Sequence, residues 1–418
     1  MIEMINSYND HKRYLIMNIV NHLGAVSRTD LAELTGYQLA SISTLTKQLI
    51  SENILVETGS YSAGHGRKRT LLKLNSEFLC AISISFSATE VTCITAQFDG
   101  TVLSRNTADF SENTSRSGIC TCVCNLIRSA LDTYADRCIV GVGICTPSND
   151  PASYPIVTID PTIRQLRDWI QNALLPFLRD HFTIPIEMFH DIVLATLVEQ
   201  NFGAAKGVND FICVELSKGI GCSICCNGKS VIGADACAGE LGHTVINRAT
   251  PNARLCYCGK PGCVEHYASL PVLIRNITAD LNANVNSSLK HSPNVSNLTA
   301  QDIRAAADAG DLLCRYYIKE AATHLGIAIS NTAMLLNPSM IVLFGHMLSL
   351  GDYFLTHLRS TIHDNLSPKL RISEERIIVS PLLQDQLPLG AISQLFADYL
   401  KKEDFNWVYQ LPQITTNQ

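Results

Sequence analysis

The chain has 418 residues, of which 46% are hydrophobic and 17% charged, and it carries a net charge of −6. These values exclude a disordered chain, and the length predicts two or three domains. The acidic balance excludes attraction to nucleic acid over the whole surface, although the charge is divided unevenly. Residues 1–75 hold eight Lys/Arg against six Asp/Glu, so a slightly basic head precedes an acidic body. The opening MIEMINSYNDHKRYLIMNIV has charges before and inside its apolar positions, unlike a secretory signal, and no run of about 18 apolar residues predicts a spanning helix. A cytoplasmic protein without membrane insertion is expected, with its 16 cysteines reduced. Cys80, Cys93, Cys213, Cys222 and Cys225 lie in apolar runs and read as small core residues.

In chain order, HKRYLIMNIVNHL (residues 11–23) places Leu15, Ile16, Ile19, Val20 and Leu23 on one helix face. Ser27 and Asp30 then form an N-cap pattern for a short helix that carries Leu31, Ala32 and Leu34 inward and stops at Gly36. A second helix is predicted from near Gln38 to about Ser51, with Ile42, Leu45, Leu49 and Ile50 inside. Two helices around a glycine turn predict a helix-turn-helix. The outer face of the second helix, Gln38, Ser41, Ser43, Thr44, Thr46, Lys47 and Gln48, suits base edges and phosphates in a major groove; the alternative is a merely solvated helix. Two short strands around a Gly-rich turn follow, a predicted wing. There His65, Arg67, Lys68 and Arg69 are candidates for a phosphate backbone or a narrow minor groove, against the alternative of a basic linker.

From Phe78 the pattern turns to strands and helices. FLCAISISFSATEVTCITAQFDG reads as a hairpin, and a helix follows at Ile119–Tyr134. The strands CIVGVGICTP and IPIEMFHD, the pair DFICVELSKGIGCSICCNGKSVIG, and the late strands SMIVLFGHM and RIIVSPLL complete an alternating α/β pattern. Two lobes with a cleft are predicted. The helix KEAATHLGIAISNTAMLL has apolar faces suited to core or dimer contact.

Residues 256–263, CYCGKPGC, place three thiols behind His243. Cys256, Cys258, Cys263 and His243 satisfy a closed tetrahedral Zn²⁺ site, and the glycines and proline turn the chain sharply enough to aim the thiolates together. A redox-active thiol group and plain core cysteines are the competing readings; neither accounts for His243 and the turn residues together.

The runs SRTDLAELTG, SISTLTKQLI and GHGRKR resemble the winged-helix head of the ROK family (repressors, open reading frames and kinases), and the landmarks from about residue 78 to 400 resemble that family's body. The resemblance implies an N-terminal winged helix-turn-helix (1–75), two actin-like sugar-kinase lobes (76–195 and 196–400) and a C-terminal tail (401–418). CYCGKPGCVE behind GH matches the family's zinc signature. At the family's first phosphate loop, D-x-G-G-T, this chain has SFSAT, with Ser85, Ser87 and Ala88 replacing the Asp and both glycines. At the second, G-T-G-I-G, it has SKGIG with Ser217 and Lys218. These changes remove bare backbone and a magnesium anchor, so no kinase turnover is expected.

The sugar side is better kept. His190-Asp191 stands where the kinases have N-D, leaving Asp191 as a vestigial base, and the histidine is a variant of the NagC/Mlc-type repressors of the family. AGELGH supplies Glu240 and His243, and GCVEHYAS supplies Glu265; the resemblance implies that these groups bond ring hydroxyls. The alternative is that the acids cap helices or pair with arginines. After VGICTP, the stretch SNDPASYPIVTIDPTIRQLRDW does not align with the family. The resemblance thus implies a repressor of carbohydrate genes that binds a double-stranded DNA operator as a homodimer or homotetramer. Its effector would be a sugar, a sugar phosphate or a phosphotransferase-system protein. An active ATP-dependent sugar kinase with an appended DNA module is the rival.

Overall fold

Helix α1 (Ile2–Leu23) begins well before the predicted start and buries Leu15, Ile16, Ile19 and Val20. In a computed structural model the described residues are 2–61, 68–86, 90–109, 115–146, 168–235, 237–247, 255–256, 258–292, 294–370, 372–382, 386–401 and 408. After α1 come strand β1 (Val26–Ser27), helices α2 (Arg28–Thr35) and α3 (Leu39–Ser51), and strands β2 (Leu55–Tyr61) and β3 (Arg69–Leu74), the last two antiparallel. Ser27 and Asp30 close a full capping box on α2: the serine hydroxyl accepts the Asp30 N–H, and the aspartate accepts the Ser27 N–H at 3.1 Å. An aspartate thus does what the longer glutamate usually does. Gly36 ends the helix in the left-handed region, φ +70°, as the tight turn requires.

Side-chain bonds fix the helices to one another. Arg28 donates to the Thr46 hydroxyl at 2.9 Å and to Glu57 at 2.8 Å, while Arg13 forks onto Glu52 with bonds of 2.8 and 2.5 Å. Thr46 is fully buried by this contact, which corrects its expected place on the outer face. Ala32 and Leu34 are only half-buried, so Leu31 alone anchors α2.

Two five-stranded sheets follow. The first runs β6-β5-β4-β7-β8, from β4 (Leu79–Phe86), β5 (Glu90–Gln97), β6 (Val102–Asp109), β7 (Cys138–Thr146) and β8 (Ile186–His190). The second runs β11-β10-β9-β12-β13, from β9 (Phe211–Leu216), β10 (Ile220–Cys226), β11 (Lys229–Ser230), β12 (Met340–Phe344) and β13 (Ile377–Val379). Each sheet has an antiparallel meander whose first strand pairs in parallel with the fourth, so one topology occurs twice. Helix α4 (Arg116–Thr133) follows the first meander, starting three residues before the predicted Ile119.

The chain divides into two compact units, residues 1–145 with 171–189 and 391–418, and residues 146–170 with 190–390. The division near residue 195 expected from sequence thus falls at 189/190, and the C-terminal stretch from 391 joins the first unit. Within that unit the buried Asn18 donates to the Leu400 carbonyl at 2.6 Å, tying α1 to the chain's end. In the second unit β9 alternates, with Ile212, Val214 and Leu216 in one cluster and Phe211 and Cys213 in another, as a strand buried on both faces must. The helix Leu312–Leu336 buries Ile318, Ala322, Leu325 and Ile329 in the core and leaves Leu312, Tyr316, Met334 and Leu335 exposed. The five cysteines expected in the core are buried. Among the described residues no helix is long and apolar enough to cross a membrane.

Candidate metal centre and ligand site

Gly239 starts the site. At φ +95° it crosses β10 so closely that a Cβ would meet the Cys222 carbonyl at 1.7 Å, and its own carbonyl accepts the Cys222 N–H at 3.0 Å. The chain then makes a single helical turn, Leu241–His243, that buries Leu241 and the His243 ring. Isolated bridges Val245↔Cys263 and Leu255↔Pro261 fold the thiol loop back on itself. Gly262, φ +91°, leaves no room for a side chain, since a Cβ would lie 2.2 Å from the Asn247 carbonyl. Cys263 stands at the N-cap of the helix Val264–Ala268, which carries Glu265.

His243, Cys256, Cys258 and Cys263 converge, with their donor atoms all within 4.8 Å of one another. His243 Nδ1 lies 3.6 Å from Cys256 Sγ, and Cys258 Sγ lies 3.5 Å from Cys263 Sγ. A tetrahedral ion with bonds to sulfur of about 2.3 Å sets neighbouring donors about 3.8 Å apart, so the spacing fits one Zn²⁺. Three thiols and one imidazole form a closed ligand set, which supplies structural cross-linking and leaves no open position for substrate. Burial, with Lys260 nearby, lowers His243 to about 4, so the ring is neutral at pH 7, the form that ligates. Burial and the adjacent thiols push Cys256 and Cys263 upward. Buried thiols held this close gain little as thiols, whereas a cation would deprotonate them outright.

The second nitrogen of His243 points elsewhere. Nε2 lies 3.7 Å from the half-exposed Glu240 carboxylate, so one ring face serves the thiols and the other a carboxylate. Glu265 is buried and accepts the Ile220 N–H at 2.8 Å, binding its helix to the turn at residues 217–221. His190 ends β8 and Asp191 begins the helix Asp191–Asn201.

The second altered loop differs from expectation in one respect. Ser217 does not project into the turn: it is buried, its hydroxyl accepts the His346 N–H at 3.0 Å, and it lies 3.2 Å from His346 Nδ1. Lys218 is exposed. The partner turn, Gly345-His346 directly after β12, went unnoticed in the sequence; a glycine at the end of the apolar strand MIVLF was its only signal. In the first loop Ser85 lies on β4, while Ser87, Ala88 and Thr89 fall outside the described residues, as does most of the unaligned stretch, residues 148–167.

On the N-terminal elements Gln38, Thr44, Lys47 and Lys68 are exposed, and Ser41 and Ser43 are half-buried. Arg69 is held by Asp30 at 2.9 Å, so it braces the start of α2. His65 and Arg67 lie outside the described residues.

Residues 81–397 match the ROK family. The chain belongs to that family. Over 395 residues this ROK chain is 27% identical to the xylose repressor of Caldicellulosiruptor bescii, covering 94% of its own length and 97% of the relative's. It is 25% identical over 365 residues to the DNA-binding transcriptional dual regulator NagC of Escherichia coli K12, covering 87% and 86%. Among solved structures, a ROK family transcriptional regulator, homologue of the E. coli MLC protein, superposes with a TM-score of 0.72 at 23% identity, covering 96% of this chain and 98% of that one. A ROK family glucokinase from Streptomyces griseus, solved with glucose and AMPPNP, gives 0.59 at 25% identity and covers 75% of this chain and 98% of that one.

Proposed function

We propose that this ROK protein is a DNA-binding transcriptional repressor of carbohydrate uptake or metabolism genes and not an enzyme. The observation that carries this is the reach of the likeness: alignment with a protein named as a xylose repressor extends over 94% of the chain, well beyond residues 81–397. Residues 1–75 are read as a winged helix-turn-helix, with Gln38, Ser41, Ser43, Thr44, Lys47 and Lys68 toward an operator and Arg67 on the wing. A symmetric dimer or tetramer would place two such heads on a palindrome.

In the body, Zn²⁺ on His243, Cys256, Cys258 and Cys263 holds Glu240 and Glu265 to one framework. His190, Asp191, Glu240, His243 and Glu265 are the groups for hydroxyls of a sugar or sugar phosphate. An effector that prefers one lobe arrangement shifts the spacing of the two heads and releases DNA. A phosphotransferase-system protein acting on the same body is the other regulatory input.

The test is capture of fragmented genomic DNA by zinc-loaded protein at near-physiological salt, followed by sequencing. Enrichment of a few palindromic sites, lost on adding one sugar, is expected; no enrichment under any condition would sink the reading. A coupled ADP-release assay with sugars and Mg-ATP should stay at background, and steady turnover would restore the kinase reading.

A further inference from the structure

Helix α3 opens on Gln38, Leu39 and Ala40, all exposed, and Leu39 is 50% exposed despite its size. The inner stripe of α3 is complete without it, since Ile42, Leu45 and Leu49 are buried. Leu39 therefore serves no core in the N-terminal elements. One turn after Ala40, the exposed Thr44 donates its hydroxyl proton to the Ala40 carbonyl at 3.0 Å, so it has no proton left for a partner. Helix α3 contains no carboxylate and no arginine, and Lys47, its one cation, lies two turns from Leu39.

Base edges in the major groove differ in what they ask of a side chain. Guanine is read chiefly by Arg or Lys, and the first turn of α3 has neither. Thymine alone displays a methyl group, which apolar side chains contact, and adenine takes a glutamine amide on N6 and N7. We infer that Leu39 reads a thymine 5-methyl group, with Gln38 on an adenine of the same or the adjacent pair. The core of each half-site is then an A·T step. The inference rests on the DNA-binding reading above and names what that surface selects.

The test starts from the tightest duplex captured from the genome and replaces each thymine in turn by deoxyuridine, which removes only the 5-methyl group. For the full-length protein, one or two positions per half-site should lose affinity about fourfold, the factor that burial of one methyl group supplies. Leu39→Ala should bind the thymine and deoxyuridine forms equally at those positions. Gln38→Ala should relax the preference for A·T over G·C there. If the wild type binds tightly yet ignores every replacement, or if Leu39→Ala keeps the full thymine preference, the inference is overturned. The wild-type arm needs no variant, so it decides even where Leu39→Ala folds poorly. Failure to capture any site is a different result: it removes the DNA-binding reading and this inference with it.

Discussion

The turn between α2 and α3 and the thiol loop are both short, glycine-bent and polar, but they are held by different means. Around α2 the bonds are all between protein groups: Ser27 and Asp30 cap each other across three residues, Gly36 ends the helix, Arg69 reaches Asp30, and Arg28 reaches Thr46 and Glu57. In the thiol loop the backbone bridges fix the path, and four donor atoms converge with sulfur–sulfur and sulfur–nitrogen separations of 3.5 and 3.6 Å, a set that one cation would join. The first region is complete as a polypeptide. On the proposed zinc assignment the second is joined by an ion, so metal removal should loosen the second and leave the first unchanged.

The largest expected effect is on the thiol loop. Cys258→Ser removes one of four ligands and should weaken Zn²⁺ by more than about 100-fold, beyond what loss of a partner outside the ligand shell costs. Metal analysis of the purified variant should show well under one zinc per chain, and the response of DNA binding to effector should vanish with it. Binding to operator without effector should persist, because α2 and α3 do not depend on the ion. A full complement of zinc in the variant would defeat the ligand assignment.

Acid should act on the same loop in a calculable direction. In chelator-treated protein His243 is held near 4, against an ordinary value of 6.5. The unfolded chain therefore binds the extra proton first, and the stability this residue contributes is complete above pH 6.5 and lost as pH falls toward 4. The shift is worth at most about 3 kcal/mol. The stability difference between wild type and His243→Gln, read from denaturation midpoints, should be constant above pH 6.5 and should shift against the wild type as pH falls toward 4. In loaded protein the same proton competes for the ligating nitrogen, so zinc release should follow the same direction. Parallel curves at all pH values would mean that the ring is not buried neutral.

These contrasts also mark what the sequence made legible. The cap at Ser27, the stop at Gly36 and the ligand set 243/256/258/263 were readable because each depends on residue types at short spacing. Thr46 was misplaced because its hydroxyl was read as a surface group, although its spacing from Ile42, Leu45 and Leu49 puts it on the inner stripe, where the Arg28 guanidinium meets it. Ser217 was read as an obstruction, but a hydroxyl has two possible directions, and its partner lies 129 residues away at His346. The division of the second half also missed that residues 391–418 return to the first unit, a long-range closure with no local signature. Asp191, Glu240 and Glu265 were singled out by their order along the chain. Glu265's bond to Ile220 depends on how a helix start meets a strand turn, which composition does not encode.

The smallest effect gives the sharpest form of the comparison. Ser27→Ala removes the acceptor for the Asp30 N–H and should cost about 1 kcal/mol at the start of α2. Gly36→Ala places a Cβ at φ +70° and should cost about as much, through backbone strain and not through a clash, since nothing lies within 4 Å of that position. Amide hydrogen exchange at Leu31 to Thr35 reads these local changes directly. If the N-terminal region is held only by its own bonds, each substitution should shift exchange by the same amount in zinc-loaded and chelated protein, because distant and unshared sites add. A shift that depends on the metal would mean that the ion's influence reaches α2, and the two regions would then be one cooperative structure.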